Sequence, residues 1–201
     1  MDYQVHDNVL GPTAFSLLQS MFAEEGPVAW KFLTNSAGGE IVTSTKNSYS
    51  WSCTVVNKTT DLVLEPVMAE IFHTLIVNML DNVKVAPKEI LRIRLGLHTY
   101  AGPVPCPPEP HVDRPTPHIV GLFYVDDSDG DTILYSNKFD RNSELGEEAQ
   151  ILDIEKSEGF KELDRVTPKA NRLLLFDGDL FHASSPPLEH TRRTTINFNF
   201  N

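Results

Sequence analysis

Along the first third of the chain, apolar residues recur at helical spacing. Phe15, Leu18 and Phe22 fall at i, i+3 and i+7 and predict a helix over 13–25, stopped by Gly26. Val67, Ile71, Leu75 and Met79 predict a second helix. Pro66 opens it, in the first turn where proline's missing N–H costs nothing, and Asp81-Asn82 ends it. Between them, residues 41–56 are rich in Thr, Val, Trp and Ser and suit strands. Beyond residue 90 the period changes. Leu91, Ile93, Leu95 and Leu97 alternate with Arg92, Arg94 and Gly96, the pattern of a strand with one apolar face. Residues 119–125, 132–135 and 173–176 are short apolar strands. In the final run, Ile196, Phe198 and Phe200 alternate with Thr195, Asn197 and Asn199. Residues 126–131 (Asp-Asp-Ser-Asp-Gly-Asp) lack the glutamate that closes a calcium loop and suit a tight hairpin turn, with 132–135 as the returning strand. Helices followed by strands indicate a mainly β protein with supporting α-helices, packed outside a β-sandwich or jelly roll. We expect one domain over 1–201: residues 1–88 are mostly helical support, and residues 89–201 form the jelly-roll core. The polar stretch 137–165 is expected to be an insertion of loops and a short extra hairpin, either a cover on the site or a solvated excursion.

Composition narrows the classes. A chain of 201 residues, 40% hydrophobic and 22% charged, is long enough to bury one substantial core. Its formal charge of −11 disfavours a nucleic-acid partner, because phosphate backbones are not drawn to an acidic surface. No apolar run is long enough to span a membrane, and the first residues resemble no secretory signal. Cys53 and Cys106 are too few for a disulfide framework. A cytoplasmic, reducing setting is the expectation, with the oligomeric state left open.

Candidate chemistry lies at His111-Val112-Asp113. Residues i and i+2 of an extended segment project from the same face, so His111 and Asp113 can aim an imidazole and a carboxylate at one point. His182 would add a second imidazole. Two histidines and one carboxylate occupy one triangular face of an octahedral metal and leave the other open, as in non-haem Fe(II) oxygenase sites. Pro103, Pro105, Pro107, Pro108 and Pro110 make the approach to His111 stiff and extended, a structured loop that can also serve as a pocket rim. Extending the apolar face of the last strand backwards from Ile196 gives Thr194 and then Arg192, with Arg193 on the polar face. An inward arginine needs a partner, and a bound carboxylate matches its two-pronged donor geometry. His73 is expected to be a packed or surface histidine, and His98, His118 and His190 are expected to be surface imidazoles.

Taken together, His111-x-Asp113, the run from Leu122 to Thr132, Pro168 to Phe176, His182 and Thr191-Arg192-x-Thr194 resemble the Fe(II)/2-oxoglutarate-dependent dioxygenases, most of all the prolyl-4-hydroxylase-like branch. The resemblance covers about residues 90 to 200. It implies a double-stranded β-helix (jelly roll, cupin-like) and a catalytic iron on His111, Asp113 and His182. It implies that Arg192 binds the distal carboxylate of 2-oxoglutarate, helped by a hydroxyl from Thr194, Tyr124 or Tyr135. The cofactors implied are Fe(II), 2-oxoglutarate and O2, with ascorbate as an optional accessory. The implied reaction is hydroxylation of an unactivated C–H with release of succinate and CO2. The resemblance favours a prolyl residue of a peptide or protein as substrate, with a small molecule as the alternative. Two other classes stay open: a metal-dependent cupin enzyme that does not use 2-oxoglutarate, and a non-catalytic binding protein on the same fold.

Overall fold

A computed structural model describes residues 2–33, 50–63, 66–100 and 109–201. In chain order the elements are β1 (Tyr3–Asp7), α1 (Pro12–Met21), β2 (Lys31–Leu33), β3 (Ser50–Asn57), β4 (Leu62–Val63), α2 (Pro66–Asn82), β5 (Ile90–Thr99), β6 (Ile119–Tyr124), β7 (Thr132–Lys138), α3 (Glu147–Ser157), β8 (Glu162–Val166), β9 (Arg172–Asp177), β10 (Leu180–Ser184) and β11 (Arg192–Phe200). A large antiparallel sheet runs β1-β9-β6-β11-β5-β3-β2, with β4 on the side of β3. A smaller sheet runs β10-β7-β8. This is a mainly β jelly roll. Among the described residues, no helix is long and apolar enough to cross a membrane.

Three apolar layers hold the sheets. Leu18 and Phe22 with Phe72, Ile76, Met79 and Leu80 pack the two N-terminal helices on one face of the large sheet, against Ile93, Leu95, Phe123, Leu173, Ile196, Phe198 and Phe200. Val120, Leu122, Tyr124, Leu174 and Phe176 on the opposite face meet Leu134, Val166 and Leu180 of the small sheet. Outside the small sheet, Ile133, Tyr135, Phe181 and Ala183 pack against Ile151 and Ile154 of α3 and against Phe160. Both faces of the central strands are therefore buried. Close packing here requires glycine at residue 121: a Cβ at that position would stand 2.1 Å from the Phe198 ring.

Several expectations change. Residues 1–88 contribute β1 to β4 as well as α1 and α2. The pairing of β1 with β9, from Tyr3 with Phe176 to Asp7 with Arg172, joins segments distant in the chain, which no local pattern announces. On α2 the buried side is Ala69, Phe72, Ile76 and Met79, whereas Val67 and Ile71 are exposed. The helix carries apolar residues around much of its girth, so spacing alone selects no face. The turn at 126–131 is not a hairpin: β6 belongs to the large sheet and β7 to the small one. Its acidic residues instead fasten loops. Asp129 accepts backbone N–H bonds from Leu188, Glu189 and His190, and Asp127 accepts one from Ala170. Residues 137–165 hold the helix α3, stacked behind the small sheet, and most of β8, which pairs with β7 as that sheet's edge strand. Residues 41–49 of the expected strand region and Pro103–Pro108 of the proline-rich approach lie outside the described residues.

Candidate metal centre

His111 and Asp113 lie on the extended segment that leads towards β6, and His182 lies in β10. Backbone bonds tie the two segments directly: each of His111 and His182 donates its N–H to the other's carbonyl at 3.0 Å. That bridge sets the imidazoles side by side, with ring centroids 4.4 Å apart. One donor atom each from His111, Asp113 and His182 fall within 4.8 Å of one another. Both rings are oriented from behind. His111 Nδ1–H donates to the Glu109 carbonyl at 3.0 Å, and His182 Nδ1–H donates to the Leu180 carbonyl at 3.3 Å. A carbonyl only accepts, so each Nδ1 carries the proton and each Nε2 presents a lone pair.

The carboxylate is held on both oxygens. Asp113 Oδ1 takes the Arg92 guanidinium at 2.7 Å. Oδ2 accepts from Asn197 Nδ2 at 3.0 Å and Asn199 Nδ2 at 2.8 Å. Burial alone would raise the pKa of this acid. Arg92, the two imidazoles and Asn199 outweigh it and hold the acid well below the usual carboxylate range. Burial, then the neighbouring His111, pushes His182 down to about 3, so it is a neutral imidazole at ordinary pH. Between the two ligands, the Val112 N–H donates to Glu147 Oε1 of α3 at 2.9 Å. Far from covering the site, α3 braces the ligand-bearing segment from the outer side.

A cleft between the sheets runs from these three residues past Arg94, Gly96 and His98 of β5 to Arg193, Thr195 and Asn197 of β11. Arg193 stands out because it is only 1% exposed. Its Nη2 donates to Thr132 Oγ1 at 2.7 Å, and its Nη1 faces His98 Nδ1 at 3.5 Å. Its Nε has no hydrogen-bond partner. Tyr124 lies beneath, with the guanidinium carbon 5.7 Å from its ring centre and its hydroxyl donating to the same Thr132 oxygen. The backbone at residue 130 closes on the arginine so tightly that a Cβ there would meet its Cδ at 3.0 Å and the Ser185 carbonyl at 2.5 Å.

The residues singled out beside Arg193 in the sequence lie at several places around this cleft. Arg192 turns away from the cleft and pairs with Asp126, Nε to Oδ2 at 2.9 Å, while donating to the Phe22 carbonyl. Thr194 faces the helix layer with Ile196, and Thr195 takes its place on the cleft wall. Tyr135 points out of the other side of the small sheet, against Phe160 at 5.1 Å. Tyr124 stays beside Arg193 but reaches it through Thr132. His98 and His118 are not surface imidazoles: His98 lines the cleft, and His118 is 7% exposed. A signal for this face was present. The polar positions of β5 and β11 are Arg, His, Gly, Thr and Asn, without the lysines and glutamates of a wet surface.

The fold is a jelly roll whose cleft carries a two-histidine, one-carboxylate group that could hold a metal ion. Among solved structures, the chain is similar to a 2OG-Fe(II) oxygenase family oxidoreductase from Burkholderia pseudomallei, with 8% identity and a TM-score of 0.64 over 99% of this chain and 84% of that one. It is similar to HygX from Streptomyces hygroscopicus, solved with nickel and 2-oxoglutarate, with 14% identity and a TM-score of 0.60 over 99% and 82%. It is also similar to a prolyl hydroxylase from Trichoplax adhaerens in complex with a hypoxia-inducible-factor peptide fragment, with 12% identity and a TM-score of 0.58 over 98% and 82%. At these identities the likeness is one of fold. No family model matches the sequence, and no curated protein does.

Proposed function

We propose that the protein is an Fe(II)- and 2-oxoglutarate-dependent oxygenase that hydroxylates an unactivated C–H, that of a prolyl residue in a peptide or protein, with a small molecule as the alternative substrate. The observation that carries the reading is a buried arginine without an acid partner in the same cleft as the three metal-type ligands. Among the described residues Arg193 makes no ion pair, Asp131 acting on it only from beyond contact distance, and an interior charge without a direct partner is costly. A dicarboxylic acid bridging the metal position and the guanidinium would supply the missing partner. The HygX structure, with nickel and 2-oxoglutarate bound, supports this assignment, and the Trichoplax complex supports a peptide substrate.

His111, Asp113 and His182 would hold the iron. Each histidine is fixed in the tautomer that presents Nε2, and Asp113 is kept ionised. When bound, Fe(II) and 2-oxoglutarate supply the oxidising chemistry, consuming O2, releasing succinate and CO2 and placing one oxygen atom on the substrate. Arg193 takes the distal carboxylate in place of Arg192, and Thr132 with Tyr124 behind it sets the plane of the guanidinium. Leu122 and Phe176, on the large sheet, line the cleft from the apolar side and exclude water.

The test is an anaerobic titration of the Fe(II)-loaded protein with 2-oxoglutarate, following the visible charge-transfer band of the chelate. The band should form in the wild type, disappear in Asp113→Ala, and require far more 2-oxoglutarate in Arg193→Met. Iron binding with no band at any concentration rejects the 2-oxoglutarate reading and moves the cupin alternative forward.

A further inference from the structure

The Asp113 carboxylate is committed before any metal arrives. Oδ2 is occupied by two amide donors from β11. Oδ1 is the oxygen facing the histidines, 4.0 Å from His182 Nε2. That same oxygen carries the guanidinium of Arg92, and the two side chains are 14% and 4% exposed. Arg92 is further anchored, with Nη1 donating to the Asp113 carbonyl and Nη2 reaching Asn197 Oδ1, each at 3.4 Å. A metal bound through Oδ1 must therefore share its ligand atom with a fixed cation in a dry site, where screening is weak. The amides on Oδ2 leave the carboxylate one free lone pair on one oxygen, so it binds through a single atom.

We propose that Arg92 is a positioning residue that makes the centre discriminate by metal charge, admitting a divalent ion with reduced affinity and disfavouring the trivalent ion. The repulsion between the guanidinium and the metal scales with the metal's charge, so the penalty is larger for Fe(III) than for Fe(II). The shared oxygen is also a poorer donor than a free carboxylate. Arg92 thus holds a resting centre in the divalent state and lets it exchange. The inference rests on the metal-binding role of His111, Asp113 and His182, but it does not depend on 2-oxoglutarate.

The experiment compares the full-length wild type with Arg92→Lys, Arg92→Gln and Arg92→Met. Mn(II) affinity of the metal-free protein is measured by calorimetry, and the Fe(III)/Fe(II) potential of the loaded protein by redox titration. The two neutral variants should bind Mn(II) about tenfold more tightly. Their potential should fall by at least about 59 mV, the one-electron equivalent of a tenfold shift towards Fe(III). Arg92→Lys keeps the charge and should stay near wild type in both readouts. Weaker Mn(II) binding in both neutral variants means that Arg92 merely orients the carboxylate, and an unchanged potential means that it moves aside when the metal binds. A lysine variant that behaves like the neutral ones means that guanidinium shape, not charge, matters. Each of these results overturns the inference. If the Arg92 effects appear but no 2-oxoglutarate chelate forms in the wild type, the cosubstrate reading fails and this inference stands.

Discussion

Strand β11 passes between two regions that both exclude water and otherwise have little in common. On one side Ile196, Phe198 and Phe200 join the helix-covered core. On the other, Arg193, Thr195, Asn197 and Asn199 face the cleft, where two asparagines grip Asp113 and the arginine waits beside Thr132. The first side is held by apolar burial, which tolerates reshaping at a cost roughly proportional to volume. The second is held by directed hydrogen bonds and charge, where losing one partner strands another. Burial therefore says little about what a position does here; the chemistry of what it is buried against says much more.

The largest effect should come from the apolar side. Phe198 is fully buried and stacked with Phe200 at 5.8 Å. Phe198→Ala should cost about 3–5 kcal/mol in denaturant unfolding, while the folded fraction keeps its Mn(II) affinity to within about threefold, since the ring touches none of the ligands. Loss of metal affinity in the folded variant would show that the two faces are coupled through the strand. On the cleft side, Arg193→Met should do the opposite. It should lower 2-oxoglutarate affinity by about 100-fold or more, the worth of two charge-assisted hydrogen bonds. Stability should be unchanged or raised, because an uncompensated buried cation is removed.

That contrast explains which parts of the molecule were legible from sequence. The three candidate ligands could be found because His111-x-Asp113 is short and extended and His182 is a reactive residue in an apolar run. The change of period at residue 90 likewise announced the switch from helices to sheet. Parity along β11 held, with Arg192 and Thr194 on the face of Ile196 and Arg193 on that of Thr195 and Asn197, but inward has two meanings in a sandwich buried on both faces. Alternation separates Ile196 from Asn197, but it does not say which side holds the ligand. On β5 the same ambiguity disguised Arg92, Arg94 and His98 as a solvent face. The helix α3 escaped notice because Ile151 and Ile154 are its only isoleucines in a charged segment, too narrow a stripe to show a period. The turn at 126–131 has the same local composition whether the next strand returns to its own sheet or crosses to the other; that choice is made by distant packing.

A smaller effect concerns histidines buried on the cleft side. His98 is pushed down to about 3 by burial and then by Arg193 and Arg94, and His182 to about 3 by burial and then by His111. In the unfolded chain each titrates near 6.5. Because the folded pKa lies below the unfolded one, the unfolded state takes up protons that the folded state refuses. The penalty is absent above about pH 6.5, grows on acidification and is complete only near pH 3. Each group adds a slope of about 1.4 kcal/mol per pH unit within that window. Urea unfolding of the metal-free protein between about pH 7 and about pH 5 should show the loss, and His98→Gln should remove one proton's share of the slope. An unaltered slope in that variant would mean that His98 is charged in the fold and that its Nδ1 does not accept from Arg193.

The smallest effect sharpens the comparison most, because it uses the residue next door. Arg192 shares its strand, its residue type and nearly its position with Arg193, yet it pairs with Asp126 at the rim, where its side chain is 39% exposed. Exposed pairs of this kind contribute about 0–1 kcal/mol, since solvent screens them and both side chains lose rotamer freedom. Arg192→Ala should therefore shift stability by no more than that and leave the 2-oxoglutarate titration within about threefold of wild type. Were Arg192→Ala to weaken 2-oxoglutarate binding as severely as Arg193→Met, the strand would have to rotate by one residue when ligand binds. Ile196, Phe198 and Phe200 would then exchange faces with Thr195, Asn197 and Asn199, and Asp113 would lose both asparagines. The apolar core under α1 and α2 resists that rotation, so the structural side of β11 fixes which arginine the chemical side can use.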